Sequence, residues 1–323
     1  MVIVITLLLV GLALVLIGGN IFVRASIGIA EWLRLPHAVM GGTLMALATT
    51  SPEVAVSITA GLQGNPGLAV GNAVGSILCN FALIASLMAV ISPLTVRRGD
   101  VAVAFSALAV FCVVYFVLTR GGVVHRWESL LLLTTGSLYF ITEIWRSIRG
   151  RAASTLHDSK EIIQEPQATG TPWSSILLFV VGASVVVGGS RLLVFQASFL
   201  AERVGIPSMV IGLTIVAIGT SLPELITAVV AARKGVAELA VGNLIGANIV
   251  NLTIATGSAG VLIPLPVTRA DNLLHFPALF LVVAVMGALL IGLQHLGRAT
   301  GVALIIAYVI YLITVVSFSG FGT

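Results

Sequence analysis

The chain carries very little charge. Only 9% of its 323 residues are Asp, Glu, Lys or Arg, whereas 58% are hydrophobic, and the mean hydropathy is +1.15. Soluble globular proteins contain about 25% charged residues, so the composition excludes that class. Apolar runs of about 20 residues recur along the chain and indicate many transmembrane helices. We therefore predict an all-α polytopic membrane protein.

The sequence lacks the residue patterns that several kinds of site require. The two cysteines, Cys79 and Cys112, lie within apolar runs and give no disulfide framework. The five histidines are scattered, with no Cys/His spacing suited to zinc. There is no Walker-type glycine loop, which argues against ATP-driven pumping. We expect neither an enzyme nor a prosthetic group.

The excess of basic residues is explained by the topology of a membrane protein. The net charge is +4, but the 16 basic residues lie between apolar runs, as the positive-inside rule predicts, so no nucleic-acid partner is expected. With the N-terminus outside, eleven of them fall on the cytoplasmic side and five on the outer side. The N- and C-termini are therefore predicted outside a prokaryotic plasma membrane.

Ten transmembrane helices are predicted, and they divide into two halves. We expect five helices in residues 1–146, a cytoplasmic linker over 147–173, and five helices in 174–323. The predicted spans are residues 2–22, 37–62, 67–92, 101–119, 127–146, 174–195, 207–232, 236–261, 273–294 and 300–318. An odd number of helices per half makes the second half enter the membrane from the opposite side.

One segment occurs twice. Residues 36–98 and 207–269 align without a gap at an offset of 171, with 22 identities in 63 positions. Inverted repeats of this kind place a transport site near the bilayer midplane. We expect the broken helices 2, 3, 7 and 8, which carry the repeat, to form the core.

Each copy places one glutamate in the membrane. Glu53 and Glu224 are the acidic residues near the middle of long apolar spans. A carboxylate at that depth costs at least ~2.5 kcal/mol, so a function is the default expectation. The alternative is a protonated structural glutamate, which the repeat-equivalent placement of the pair disfavours.

The residues before the glutamates suit a hard cation. The two segments are Thr49-Thr50-Ser51-Pro52-Glu53 and Thr220-Ser221-Leu222-Pro223-Glu224. Proline removes a helical hydrogen bond, which frees backbone carbonyls near Thr49 and Thr220. Carbonyls, hydroxyls and carboxylates form an all-oxygen set of the kind that Ca²⁺ binds. An ordinary proline kink is the alternative.

The second part of each repeat carries aligned polar residues. Small residues at Gly71/Gly75 and Gly242/Gly246 are also consistent with a simple packing face. Polar side chains nevertheless recur every four residues on one helical face, and they need partners that a cavity facing the glutamates would supply. The aligned positions are Asn72, Ser76 and Asn80, matched by Asn243, Ala247 and Asn251.

These motifs resemble the repeats of the calcium/cation antiporter superfamily, in particular prokaryotic sodium/calcium exchangers. The family pattern is Gly-Thr-Ser-x-Pro-Glu followed by Gly-Asn-x-x-Gly-Ser-Asn-Ile-x-Asn or Asp, and residues 219–224 match its first part fully. The resemblance implies Ca²⁺ ligands at Glu53, Glu224, Thr49 and Thr220. It implies Na⁺ sites at Thr50, Ser221, Ser76, Asn80, Asn251, Ala46 and Ala217. Supporting roles are implied for Asn72, Asn243, Pro52, Pro223, Gly75 and Gly246.

The chain departs from the family at one charge. Many members carry Asp at one of the two positions occupied here by Asn80 and Asn251, and Ala247 replaces the usual serine. The site then holds at most two formal negative charges. Two Na⁺, two H⁺ or one Ca²⁺ would balance it, whereas three Na⁺ would leave a net charge. We expect fewer coupled sodium ions than in an Asp-containing relative, or proton coupling.

Exchange of Ca²⁺ for Na⁺ by alternating access is the function that this resemblance implies, with both ions as transported substrates. A proton-coupled or K⁺-dependent exchanger is the alternative within the same fold. A cation channel with a glutamate constriction is the rival from another class. Inorganic cations and the lipid bilayer are the expected partners. The sequence does not give the oligomeric state, and a monomer is compatible with such a site.

Overall fold

The computed structural model describes residues 2–32, 37–154, 172–203, 217–269 and 271–320, and these are almost entirely helical. The helices are α1 (Val2–Trp32), α2 (His37–Thr49), α3 (Ser51–Leu62), α4 (Pro66–Ile91), α5 (Arg98–Thr119), α6 (Arg126–Ser154), α7 (Pro172–Arg203), α8 (Ala217–Thr220), α9 (Leu222–Arg233), α10 (Ala237–Leu262), α11 (Asp271–Gly292) and α12 (Arg298–Gly320). Four two-residue strands are β1 (Leu94–Thr95), β2 (Val123–Val124), β3 (Leu265–Pro266) and β4 (His295–Leu296).

Helices cover every predicted span as far as the structure describes it. Within the described residues, six helices are long and apolar enough to cross a membrane. Predicted span 2 is divided between α2 and α3, and span 7 between α8 and α9. The first ten residues of span 7, 207–216, lie outside the described part of the chain. The prediction of an all-α polytopic membrane protein is confirmed.

Two details of the predicted helices were wrong. Spans 3 and 8 are not broken, because α4 and α10 are continuous helices that contain the π-helical turns Cys79–Ala85 and Asn251–Ala255. Spans 1, 5 and 6 continue further than hydropathy indicated. The helix α6, for example, extends to Ser154.

Exposed tryptophans explain the longer helices. Trp127 and Trp145 are 65% and 52% exposed and lie 18 positions apart on α6. At 1.5 Å per residue they are separated by about 27 Å, close to the thickness of a bilayer hydrocarbon core. Tryptophan favours the membrane–water interface. We therefore expect the part of α6 after Trp145 to lie beyond the membrane, where polar residues are compatible with a helix.

The short strands reveal the inverted symmetry. β1 and β3 are equivalent in the repeat, at the offset of 171. β1 pairs with β4 just before α5, and β3 pairs with β2 just after α5. Because the 22 residues of α5 span about 33 Å, the two strand pairs lie at opposite ends of the helix. Equivalent loops of the two halves are thus at opposite membrane surfaces.

The repeat helices occupy the centre of the molecule. In the apolar windows of α10 and α4, 94% and 78% of the residues are buried, against 28% in α5. The helices α1 and α7 pack against each other at the side of this core. The rings of Phe22 and Phe179 lie 4.7 Å apart there, and Gly182 brings the α7 backbone close to Phe22.

Glycines on α10 allow α2 to approach closely. A methyl group at Gly242 would collide with the carbonyl oxygen of Ala38, and one at Gly246 would collide with the carbonyl oxygen of Gly42. The packing reading of these glycines is therefore correct for Gly242 and Gly246. Their contact fixes the distance between the two repeats beside the glutamates.

Replacement of Gly242 by alanine is expected to destabilise the protein. The new methyl group meets backbone on α2, which no change of rotamer relieves, so a cost of about 1–3 kcal/mol is expected. Gly188→Ala in α7 is the matched control, since nothing lies within 4 Å of a methyl group there. Thermal unfolding in detergent should show a lower melting temperature for G242A alone. Equal melting temperatures for both variants would contradict the packing described.

Candidate cation site

The helix of each repeat stops beside its glutamate. α2 ends at Thr49, Thr50 has φ −85° and ψ 4°, and α3 begins with Ser51 followed by a proline. In the second repeat Ser221 has φ −83° and ψ 6°, and α9 begins directly after it. The predicted breaks in helices 2 and 7 are present. In both repeats the chain restarts as a new helix beside the carboxylate.

The new helices stabilise the charges they carry. Glu53 lies in the first turn of α3 and Glu224 in the first turn of α9. Unpaired N–H groups and the positive end of the helix dipole favour a carboxylate at this position. Pro52 and Pro223 suit the first turn because proline lacks the N–H that would be unpaired there. Pro52 and Pro223 thus break the helix and also begin a new one, whose N-terminus stabilises the negative charge of the glutamate.

Each glutamate is held by a hydroxyl of the other repeat. Thr50 donates from Oγ1 to Glu224 Oε1 at 2.8 Å, and Ser221 donates from Oγ to Glu53 Oε1 at 3.2 Å. Thr50 and Ser221 are repeat-equivalent, so the two contacts are related by the internal symmetry. All four residues have 0% exposure. The structure therefore brings the two carboxylates together in one site closed to solvent.

Asparagines hold the threonines of the opposite repeat. Thr49 donates from Oγ1 to Asn243 Oδ1 at 3.2 Å, and Thr220 donates from Oγ1 to Asn72 Oδ1 at 3.4 Å. Asn72 in turn donates to the backbone carbonyl of Glu53 at 3.0 Å. The structure thus places both asparagines against the threonines of the site, and their supporting role in cation binding stays a prediction. Because the threonine hydroxyls are engaged, a cation would meet these two residues through their carbonyl oxygens.

Backbone carbonyls near the break before Glu53 accept hydrogen bonds, whereas the sequence predicted that proline would leave them free. The carbonyl of Ala48, which Pro52 deprives of its helical partner, accepts a hydrogen bond from Ser51 Oγ at 2.9 Å. The Ala46 carbonyl accepts from the backbone N–H of Thr50 at 2.9 Å, so it retains a helical bond. The Ala46 carbonyl also accepts from Thr49 Oγ1 at 3.4 Å, so a cation at Ala46 would have to displace this second, long hydrogen bond. Ala217 is described only as the first residue of α8.

Unpaired polar atoms are concentrated in this site. Among the described residues, nine buried side-chain atoms have no hydrogen-bond partner, and seven of them are here. Each unpaired buried polar group costs about 1–3 kcal/mol, so their concentration here suits a site for a bound ion. Five of the seven are oxygens that a cation could contact, and two are amide nitrogens that it could not. The seven atoms are Glu53 Oε2, Glu224 Oε2, Ser76 Oγ, Asn80 Oδ1, Asn248 Nδ2, and Asn251 Oδ1 and Nδ2.

Asn248 is a site residue that the sequence reasoning missed. It has 0% exposure, and Asn80 donates from Nδ2 to its Oδ1 at 2.9 Å. The repeat comparison did not point to it, because its equivalent in the first repeat is Ile77. The family pattern Gly-Asn-x-x-Gly-Ser-Asn-Ile-x-Asn has an asparagine at the position of Asn248, and this match could have pointed to the residue.

The two π-helical turns lie beside the same residues. One begins at Cys79, next to Asn80, and the other begins at Asn251. A π-turn inserts one residue into the helical pattern and is frequent at functional sites. Gly246 packs its α-carbon against α2, and Gly75 is buried in α4. All the predicted residues whose surroundings are described thus lie in or beside the core formed by the repeats.

Comparison with known proteins agrees with this geometry. The model of the sodium/calcium exchanger protein family matches residues 3–145 and 174–317. The chain belongs to this family. Exchanger MaX1 of Methanosarcina acetivorans is 30% identical over 340 residues, covering 95% of this chain and 96% of that protein. Inner membrane protein YrbG of Escherichia coli K12 is 32% identical over 316 residues, covering 95% and 94%.

A solved member of the sodium/calcium exchanger family has the same fold. The sodium-calcium exchanger NCX_Mj, soaked with 2.5 mM Na⁺ and 1 mM Sr²⁺, superposes with a TM-score of 0.79 at 28% identity. The match covers 96% of this chain and 98% of that structure. Family membership and fold together support cation antiport, with calcium among the ions.

Calcium is expected to stabilise the purified protein against heat. Ligand at 100 times its dissociation constant adds about 2.7 kcal/mol to the stability of the state that binds it. A melting temperature that rises with Ca²⁺ in the wild type, but not in the double variant E53Q/E224Q, is expected. Glu143→Gln is the matched control, because Glu143 lies in α6 and lines a different crevice, with Asp100 and Tyr139. An equal rise in the double variant would place the bound ion elsewhere.

Proposed function

We propose that the protein is a secondary antiporter that exchanges Ca²⁺ for Na⁺ across the membrane by alternating access. The observation that carries the proposal is the pair of buried glutamates, each hydrogen-bonded by a hydroxyl of the opposite repeat. Each repeat contributes one glutamate and one hydroxyl to one closed site, as expected of a site that opens alternately to two sides.

The electrostatics favour exchange over leak. Two carboxylates are fully buried, and no Lys, Arg or His of the described residues forms a hydrogen bond with either in the structure. Moving uncompensated charge through a low-dielectric region is costly, so the empty site is disfavoured as a transported form. One Ca²⁺ or two Na⁺ neutralise the pair equally. Competition between them for the same oxygens couples the two fluxes.

Ca²⁺ and Na⁺ are expected to use different sets of ligands, because they differ in charge. Ca²⁺ takes about 6–8 oxygens at ~2.3–2.6 Å, so it requires both carboxylates and the nearby carbonyls. Sodium, with half the charge, would use one carboxylate with neutral oxygens. The Ca²⁺ set is Glu53, Glu224 and the carbonyls of Thr49 and Thr220. The Na⁺ set adds Thr50, Ser221, Ser76, Asn80, Asn251, Ala46 and Ala217.

We expect α1 and α7, which pack beside the site, to move during transport. The helices α1 and α7 pack together and meet the core near Thr49, where a narrow apolar crevice is lined by Phe22, Ala183 and Val186 among others. Small residues at Gly18 and Gly182 permit close contact along this boundary. Displacement of α1 and α7 along the core would open the site to one side at a time.

Neutralising either glutamate is expected to abolish calcium transport. The variants E53Q and E224Q keep side-chain shape but remove half of the site's charge, so Ca²⁺ loses both a ligand and charge balance. Isotopic calcium uptake into proteoliposomes under an outward Na⁺ gradient measures the loss. E143Q should retain uptake. Retained transport in both single variants, with the protein folded, would refute the assignment.

Exchange is expected to be electroneutral. With two carboxylates and neutral Asn80 and Asn251, two Na⁺ replace one Ca²⁺, so a membrane potential should not alter calcium accumulation. A third sodium would move one net charge per cycle, worth about 2.3 kcal/mol per 100 mV. Asn251→Asp adds a carboxylate and should introduce voltage dependence, while Asn65→Asp at the exposed cap of α4 should not.

The same vesicles separate the rival functions. Uptake driven by a pH or K⁺ gradient without sodium would identify the proton-coupled or K⁺-dependent alternative. Calcium flux without any counter-ion, with single-channel currents, would identify a channel. Voltage dependence of the wild type at three sodium per calcium would contradict the charge argument.

A further inference from the structure

Asn80 and Asn251 are equivalent in the repeat, yet they differ in their surroundings. Asn80 donates from Nδ2 to Asn248 Oδ1 at 2.9 Å. Both amide atoms of Asn251 lack a partner among the described residues. The reason is that the position of Asn248 is occupied in the first repeat by Ile77, which is fully buried in the hydrophobic core. One amide is therefore fixed and the other is not.

A fixed amide matters for a cation. The terminal torsion of asparagine is broad, so an unrestrained side chain can present either its oxygen or its NH₂ group. Only the oxygen attracts a cation. The NH₂ group of Asn80 is engaged by Asn248, and its Oδ1 is left buried and without a partner. Asn72, on the same helix, donates to the backbone carbonyl of Glu53. The π-turn Cys79–Ala85, which contains Asn80, packs against α9, the helix that carries Glu224.

We propose that Asn248 is a positioning residue, which holds the Asn80 amide so that its oxygen serves the sodium-loaded state and thereby sets the apparent affinity for Na⁺. The inference rests on the proposed function and deepens it. Calcium relies on the carboxylates and backbone carbonyls, so its affinity depends little on this contact. The two neutral amides thus act differently, and the one supported by Asn248 is preorganised.

The decisive experiment is a double-mutant cycle in proteoliposomes. Asn248→Leu removes the acceptor at nearly constant volume, and Asn80→Ala removes the group that it positions. N248L should raise the half-saturating Na⁺ concentration for calcium exchange about two- to tenfold, the factor that one neutral hydrogen bond contributes. The half-saturating Ca²⁺ concentration should change less than twofold. In the N80A background, N248L should have no further effect.

Thr253→Val is the matched control. Thr253 is a fully buried polar residue of the same helix, and its hydroxyl donates within α10 to the Ile249 carbonyl. T253V should leave both half-saturating concentrations unchanged. If N248L does not fold, N248A removes the same acceptor and replaces it in the cycle.

Two results would overturn the inference. Equal changes for Na⁺ and Ca²⁺ in N248L would show a general structural role, and a full effect of N248L in the N80A background would show action through another residue. Stabilisation of the purified protein by Na⁺ against heat is the second readout. If the wild type shows no sodium-dependent calcium flux, the proposed function fails, but a weaker Na⁺ stabilisation in N248L than in the wild type would still support the role of Asn248, and an equal one would refute it.

Discussion

Two buried carboxylates, each held by a hydroxyl from the opposite repeat, are the interaction on which the rest of the structure depends. Glu53 and Glu224 are costly in a membrane, and the contacts with Ser221 and Thr50 satisfy one oxygen of each. The other oxygen of each acid has no protein partner among the described residues. The protein thus satisfies one oxygen of each acid, and the second is available to a cation of the kind proposed.

The surrounding features serve this pair. Breaks before the glutamates place each acid at a helix N-terminus, where its charge is favoured. Close contact of α10 with α2, through Gly242 and Gly246, brings the two repeats within hydrogen-bonding distance. The asparagines Asn72 and Asn243 then engage the threonine hydroxyls of the opposite repeat. The contacts that pack the two repeats together thus also position the candidate cation ligands.

Much of this site could be predicted from the sequence, because a duplication doubles the signal of each residue. The glutamates and the proline breaks were visible in both copies. The cross-repeat partners were not, since sequence alone does not show which hydroxyl meets which acid. Asn248 was missed because Ile77 replaces it in the first copy. Helix ends such as Ser154 were misplaced, because hydropathy reports where the membrane ends and not where the helix ends.

The strand pairs have a consequence for the ancestry of the fold. Each half donates one strand to the other at both membrane surfaces, so neither half completes its own edge. The hydroxyl of each half likewise reaches the acid of the other. A five-helix precursor would have assembled such a site only as a dimer of two molecules inserted in opposite directions. Within one chain the two copies are free to differ, as they do where Asn248 faces Asn80 and Ile77 takes the equivalent place in the first repeat.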